Sequence, residues 1–156
     1  MHPLFYEEMP AVDIDRQLPL WPELTLAVST TWRHNASRLD WIAANGLACA
    51  FTPNPDRLDL ISRQLIPYMD NGMAVRHHGY FPGEEIGHAH AATAEDAMQL
   101  HFKAMEAMQG VGEPLMTVHV GLDRTLPLDY HRVVKNLTRL VEYGTKIGVS
   151  VSLENL

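Results

Sequence analysis

The sequence predicts an α/β fold whose parallel sheet is curved into a barrel, and of that barrel it carries about (βα)4β. Three observations predict it. Strand-like and helix-like segments alternate from residue 24 to residue 156, and parallel neighbours need a crossover that a helix usually supplies. Along the strands an apolar set of positions opposes a small or polar set, whereas a sheet covered by helices on both faces is apolar on both. No glycine-rich phosphate loop follows the first strand, as an open nucleotide-binding sheet would require.

The elements follow in order. Residues 1–23 form a lead with Pro3, Pro10, Pro19 and Pro22 that suits no helix, and residues 24–156 form the single barrel domain. The first strand is expected over 24–30, with Leu24, Leu26 and Val28 opposing Thr25, Ala27 and Ser29. A helix over 35–45 follows, closed by Gly46. The second strand, 47–52, sets Leu47, Cys49 and Phe51 against Ala48, Ala50 and Thr52. After Pro53-Asn54-Pro55 a helix is expected over 56–70, with Pro67 disturbing its last turn and Gly72 ending it. The third strand, 73–78, precedes a long loop containing Pro82, Gly83 and Gly87. Thr93, with Asp96 three residues on, is the expected N-cap of the next helix, which reaches about residue 109. The fourth strand, 115–120, sets Met116, Val118 and Val120 against Leu115, Thr117 and His119. A helix over 128–147 then leads through Gly148 to the fifth strand, 149–154, where Val149, Val151 and Leu153 oppose Ser150, Ser152 and Glu154. Helices packed only outside, with the polar set turned inward, account for this alternation. The architecture is that of a TIM (β/α)8 barrel.

Composition narrows the function. The chain has 156 residues, 46% of them hydrophobic and 20% charged, which is the makeup of one globular domain. No run approaches the ~20 apolar residues of a membrane span, and the N-terminus lacks the pattern of a signal peptide, so the cytoplasm is the expected location. The single cysteine, Cys49, permits no internal disulfide or thiolate cluster and fits a buried core position. A net charge of −7, with Glu84 and Glu85 in the long loop, argues against a phosphate-binding surface, so no nucleic-acid partner is expected.

The chemistry emerges at the strand ends. Barrel active sites form at the C-terminal ends of the strands. Here three successive strands end in metal-binding groups: His77 or His78, then His119, then Glu154. Two neutral imidazoles and a carboxylate suit Zn²⁺, Mn²⁺ or similar ions. Strand alternation puts Ala74, Arg76 and His78 on the inner face and Met73, Val75 and His77 on the outer one, which favours His78. Arg76 is a candidate for a substrate carboxylate or phosphate, although pairing with an acid is an equal expectation. His88 and His90 are candidate ligands or phosphate contacts, set against the blander role of a solvated loop. Met98, Met105 and Met108 fall at helical spacing and fit packing.

Three segments carry a family resemblance. Arg76-His77-His78-Gly79-Tyr80-Phe81-Pro82-Gly83-Glu84-Glu85-Ile86-Gly87-His88 resembles the third-strand loop of xylose isomerase-like barrels. Thr117-Val118-His119-Val120-Gly121 resembles their fourth-strand motif, and Ser152-Leu153-Glu154-Asn155-Leu156 their fifth-strand Glu-Asn motif. Phe51-Thr52-Pro53-Asn54 is similar to a second-strand turn in endonuclease IV, a member of the same superfamily. The resemblance implies metal ligands at His78, His119 and Glu154. An alignment to endonuclease IV would instead choose His77, with Tyr80 as its pocket aromatic. Glu154 doubles as a catalytic acid/base candidate, and Tyr80, Arg76 and His88 as substrate contacts.

The implied activity is that of a metal-dependent sugar or sugar phosphate isomerase or epimerase, using Mn²⁺, Zn²⁺, Mg²⁺ or Co²⁺ and moving a proton through an enediolate. The endonuclease IV-like alternative would hydrolyse a phosphodiester with a zinc cluster. A third reading is a non-catalytic half-barrel that binds or assembles. An eight-stranded barrel takes ~250 residues and at least ~200. This chain alone is therefore expected to be catalytically silent, with an open sheet edge that favours self-association.

Overall fold

The structure, a computed structural model, describes residues 26–121 and 125–154. The proline-rich lead, the start of the expected first strand, and Asn155 and Leu156 of the Glu-Asn motif lie outside the described residues. Five parallel strands form one sheet in the order β1-β2-β3-β4-β5: β1 Ala27–Ser29, β2 Ala48–Phe51, β3 Val75–Gly79, β4 Leu115–His119 and β5 Ser150–Glu154. Sequential order with every neighbour parallel is the arrangement of one arc of a barrel wall.

Four helices make the crossovers: α1 Asn35–Ala44, α2 Ile61–Met69, α3 Ala91–Ala107 and α4 Tyr130–Ile147. In α1, Leu39 and Ile42 are buried one turn apart. Gly46, at φ 64°, turns the chain into β2 with a left-handed conformation that glycine adopts without strain. α2 begins five residues later than the sequence suggests. Pro55–Leu60 form a 3-10 segment capped by the Asn54 side chain, and Arg57, at φ −138° and ψ 46°, interrupts any α-helical path before Ile61. Pro67 does lie inside α2.

The expected cap of α3 is corrected. Thr93 lies within the helix, because the Ala94 amide already donates to the His90 carbonyl, and His90 is the capping position without a side-chain cap bond. In α4 the Asp129 carboxylate accepts from the Arg132 amide, and Gly148, at φ 78°, closes the helix.

Among the described residues, the core joins the outer face of the sheet to the helices, with Phe81, Ile86 and Val111 added from loops. One cluster joins Leu39, Ile42, Ile61 and Leu65 to Cys49, Phe51 and Val75. The other joins Met98, Met105 and Leu140 to Met116 and Val118. At ~1.5–3 kcal/mol for each large apolar side chain taken from water, these clusters fix which face of each strand turns outward. The inner face is open by contrast: Ala27, Ser29, Arg76 and Glu154 are exposed. The alternation read from the sequence thus corresponds to the two sides of the sheet. Among the described residues, no helix is long and apolar enough to cross a membrane.

Candidate metal centre

The register of the sheet builds the site. His119 of β4 pairs with Glu154 of β5, and His78 of β3 lies opposite Thr117, two residues before His119 on the same inner face. Each of these side chains sits at or next to the C-terminal end of its strand, so all three meet above one rim of the sheet. The Nε2 atoms of His78 and His119 are 2.5 Å apart, with ring planes at 82°. The Glu154 carboxylate lies 3.9 Å from His78 Nε2 and 3.8 Å from His119 Nε2. Three donor atoms from three strands therefore aim at one point, within 4.8 Å of one another.

The chemistry of this set fits a divalent cation. Burial, followed by the neighbouring His119 and opposed by Glu154, holds the His78 imidazole below its ordinary pKa, favouring the neutral form that can act as a ligand. His119 is buried, and its Nδ1 has no hydrogen-bond partner among the described residues. Two imidazole nitrogens and a carboxylate oxygen are a borderline donor set of the kind that binds Zn²⁺ or Mn²⁺.

Tyr80 joins the cluster as an aromatic wall. Its ring stacks on His78, with centroids 6.1 Å apart, and stands edge-on to His119 at 5.7 Å. Tyr80, Phe81 and Glu84 line two cavities, one of about 460 Å³ that also takes in Glu85, His101 and His119, and one of about 490 Å³ that also takes in Trp32, Arg33 and Thr52. Both are of a size that takes a small ligand.

The remaining sequence candidates separate. His77 points the other way: it is buried on the helix side, donates Nε2–H to the Val111 carbonyl at 2.5 Å, and meets Phe51 edge-on. Of the two adjacent histidines, only His78 faces the cluster. Arg76 does not join it. Its guanidinium pairs with Glu113 at 3.2 Å, in the loop that enters β4 at the opposite end of the strands. His88 is also apart, its Nδ1 accepting from the His90 amide and its backbone bridged to Leu128. Glu85 corrects the picture of an acidic loop facing solvent. It is buried, accepting from the Gly87 amide at 3.0 Å and the Gly121 amide at 2.6 Å, and so fastens the loop after β3 to the loop after β4.

Sequence reasoning missed Thr30, Thr52 and His101 as residues around the site. Thr52 was discoverable: it continues the inner set Ala48 and Ala50, and the next step beyond the Phe51–His77 pair of the register puts it beside His78. His101 carried no such signal. It sits on the buried face of α3, donates Nδ1–H to the Ala97 carbonyl, and lies edge-on to Phe81.

No protein-family model and no curated protein matches the chain. Solved structures do. The chain superposes on 3-keto-D-glucoside 4-epimerase, YcjR, from E. coli with a TM-score of 0.67 at 16% identity, over 86% of this chain and 57% of that one. The xylose isomerase domain protein from Planctomyces limnophilus gives 0.62 at 19%, over 88% and 55%. The fold is that of part of a TIM barrel. D-psicose 3-epimerase from Clostridium cellulolyticum H10, solved with D-tagatose, gives a TM-score of 0.66 at 12% identity over 85% and 53%. The chain thus spans little more than half the length of these structures. In this partial barrel, the five described strands run in the order of such a wall, with the candidate centre at its C-terminal rim.

Proposed function

We propose that His78, His119 and Glu154 form part of the divalent-cation site of a sugar or sugar phosphate isomerase or epimerase, to which this chain contributes five strands. The observation that carries the proposal is the convergence of the three side chains at the ends of adjacent strands. Support also comes from the fold, which is shared with proteins named as sugar epimerases. His78 and His119 would hold the cation through Nε2, and Glu154 through its carboxylate. Once bound, Mn²⁺, Zn²⁺, Mg²⁺ or Co²⁺ would polarise carbonyl and hydroxyl oxygens of a sugar and ease removal of the proton on the hydroxyl-bearing carbon next to the carbonyl.

The chain's own residues supply the rest. Glu154, half exposed on the inner face, is the carboxylate within reach to hold or move that proton. Tyr80 closes one side of the centre. Turnover needs an opposing acid/base group, which the remaining strands of the barrel would provide, so this chain alone binds without turning over. The charge of −7 disfavours the endonuclease alternative, because duplex binding rests on neutralising phosphates. The half-barrel binding module keeps one observation in its favour: Leu26 beside β1 is 70% exposed and Leu153 on β5 is 51% exposed, at the two edges of the sheet.

Two measurements test the proposal. Elemental analysis of wild type, His119→Ala and Glu154→Ala, purified without chelator, should show a divalent metal in the first and its loss from both variants. Equal metal content in all three would remove the site. The second incubates this chain, and a version extended through the downstream reading frame, in D₂O with ketoses, aldoses and their phosphates. Metal-dependent deuterium incorporation next to the carbonyl is expected from the extended protein only. Incorporation by the chain alone would refute the need for further strands, and a metal-free protein that only self-associates would favour the binding module.

A further inference from the structure

The inner rim of the sheet carries one polar side chain per strand: Thr30 after β1, Thr52 after β2, His78 on β3, His119 on β4 and Glu154 on β5. The last three form the candidate centre. The first two are buried threonines at the end of a hydrogen-bonded chain that reaches it. The Thr52 amide donates to Thr30 Oγ1 at 2.9 Å, and the Asn35 side-chain amide donates to the Thr52 carbonyl at 3.1 Å. Both backbone polar groups of Thr52 are thus engaged by side chains, and the residue is only 1% exposed. Its own Oγ1 remains for His78, lying 3.0 Å from Nδ1.

A neutral imidazole has one protonated nitrogen, and the partner of the other nitrogen decides which one it is. In the centre, His78 Nε2 faces His119 Nε2 and the Glu154 carboxylate. If His78 is to present a lone pair there, its proton must sit on Nδ1, and Thr52 Oγ1 is the acceptor in place to receive it. A ligand imidazole whose second nitrogen is bonded in this way has both its tautomer and its ring orientation fixed before any ion arrives.

We infer that Thr52, itself held by Thr30 and Asn35, is a positioning residue that fixes His78 as the Nδ1–H tautomer and presents its Nε2 to the centre. The inference deepens the metal-site proposal and rests on it for its purpose, but the tautomer can be read without any metal. Thr52 acts through His78 and touches neither ion nor sugar. Valine has the shape of threonine without the hydroxyl, and serine has the hydroxyl without the methyl group, so the two substitutions separate bonding from packing.

The test is long-range ¹H–¹⁵N imidazole spectroscopy on metal-free wild type, Thr52→Val and Thr52→Ser, with the His78 signals assigned by their loss in His78→Asn. Wild type and Thr52→Ser should show the Nδ1–H form, and Thr52→Val a mixture. In parallel, Zn²⁺ affinity by chelator competition should fall roughly 10–100-fold in Thr52→Val and recover in Thr52→Ser. An Nε2–H tautomer in wild type, or an unchanged tautomer in Thr52→Val, would overturn the assignment. If Thr52→Val does not fold, Thr30→Val, which removes the support of Thr52 instead, should give the same mixed tautomer, and a wild-type pattern there would equally overturn it. A wild type that binds no Zn²⁺ but shows the tautomer change would support the positioning role while removing the metal site.

Discussion

At the residue scale, identical side chains take different chemistry from the face they occupy. Cys49 is wholly buried on the helix side of β2, and burial pushes its thiol up to about 12. The thiolate needed for reaction is therefore scarce at neutral pH. Ellman's reagent at pH 8 should leave the native protein unmodified and titrate one thiol only in denaturant; rapid native labelling would show that β2 is not covered as described. Burial pushes both His101 and His78 down, with His119 adding to the effect on His78 and Glu154 opposing it, yet His101 is enclosed by its own helix while His78 faces an open rim. Burial alone does not mark a site. Convergence with other donors does.

At the element scale, the packing of α4 can be tested from both sides. Toward the sheet, a Cβ on Gly144 would lie 2.3 Å from the Val149 carbonyl oxygen, so the helix crosses the start of β5 too closely for any side chain. Gly144→Ala would raise helix propensity, yet the clash dominates because its partner is backbone. We expect a net loss of roughly 1–3 kcal/mol, read as a lower denaturant midpoint with an unchanged m-value.

Toward α3, Arg139 donates both terminal nitrogens to Glu95, at 2.7 and 3.0 Å. Arg139, with help from Gln99, holds the Glu95 carboxyl down to about 2 from its ordinary 4.5. A depressed carboxyl pKa contributes stability above the unfolded value, and that contribution is lost as pH falls through the folded one. Both side chains are partly exposed, which screens the pair to about 0.2–1 kcal/mol. Glu95→Gln should therefore destabilise by that amount at pH 7 and by progressively less between pH 4.5 and pH 2. A constant difference across that window would mean that charge is not what the pair contributes.

Helix boundaries were the least legible elements. The Thr93-Asp96 pattern suggests a cap, but the capping position is His90, three residues earlier, and Pro55 opens a 3-10 segment where the sequence suggests a helix. Local signals lost there to geometry that only the packed chain supplies. The strand faces were legible because side chains alternate with period two and the core accepts only one set. That alternation put His78, His119 and Glu154 together before any contact was visible, whereas Glu85 and Thr30 depend on loop paths that carry no period.

At the scale of the whole molecule, charge and topology set expectations. The chain carries −7, and among the described residues Arg76, Arg132 and Arg139 are engaged with carboxylates. A labelled abasic duplex should show no submicromolar binding at physiological salt, and salt-sensitive binding in that range would revive the endonuclease alternative.

The two adjacent histidines of β3 have a further consequence for folding fidelity. A slip of β3 by one residue would carry His77 to the rim and His78 into the core, so the sheet would still offer an imidazole to its neighbours and the error would be chemically silent at the site. The Val111 carbonyl makes the error costly. In the native register it receives the His77 proton, and in the slipped one it would have to find a different donor. An unpaired buried polar group costs about 1–3 kcal/mol. That bond acts as a proofreading contact: it lies outside the candidate centre, and it distinguishes two alignments that the centre alone could not.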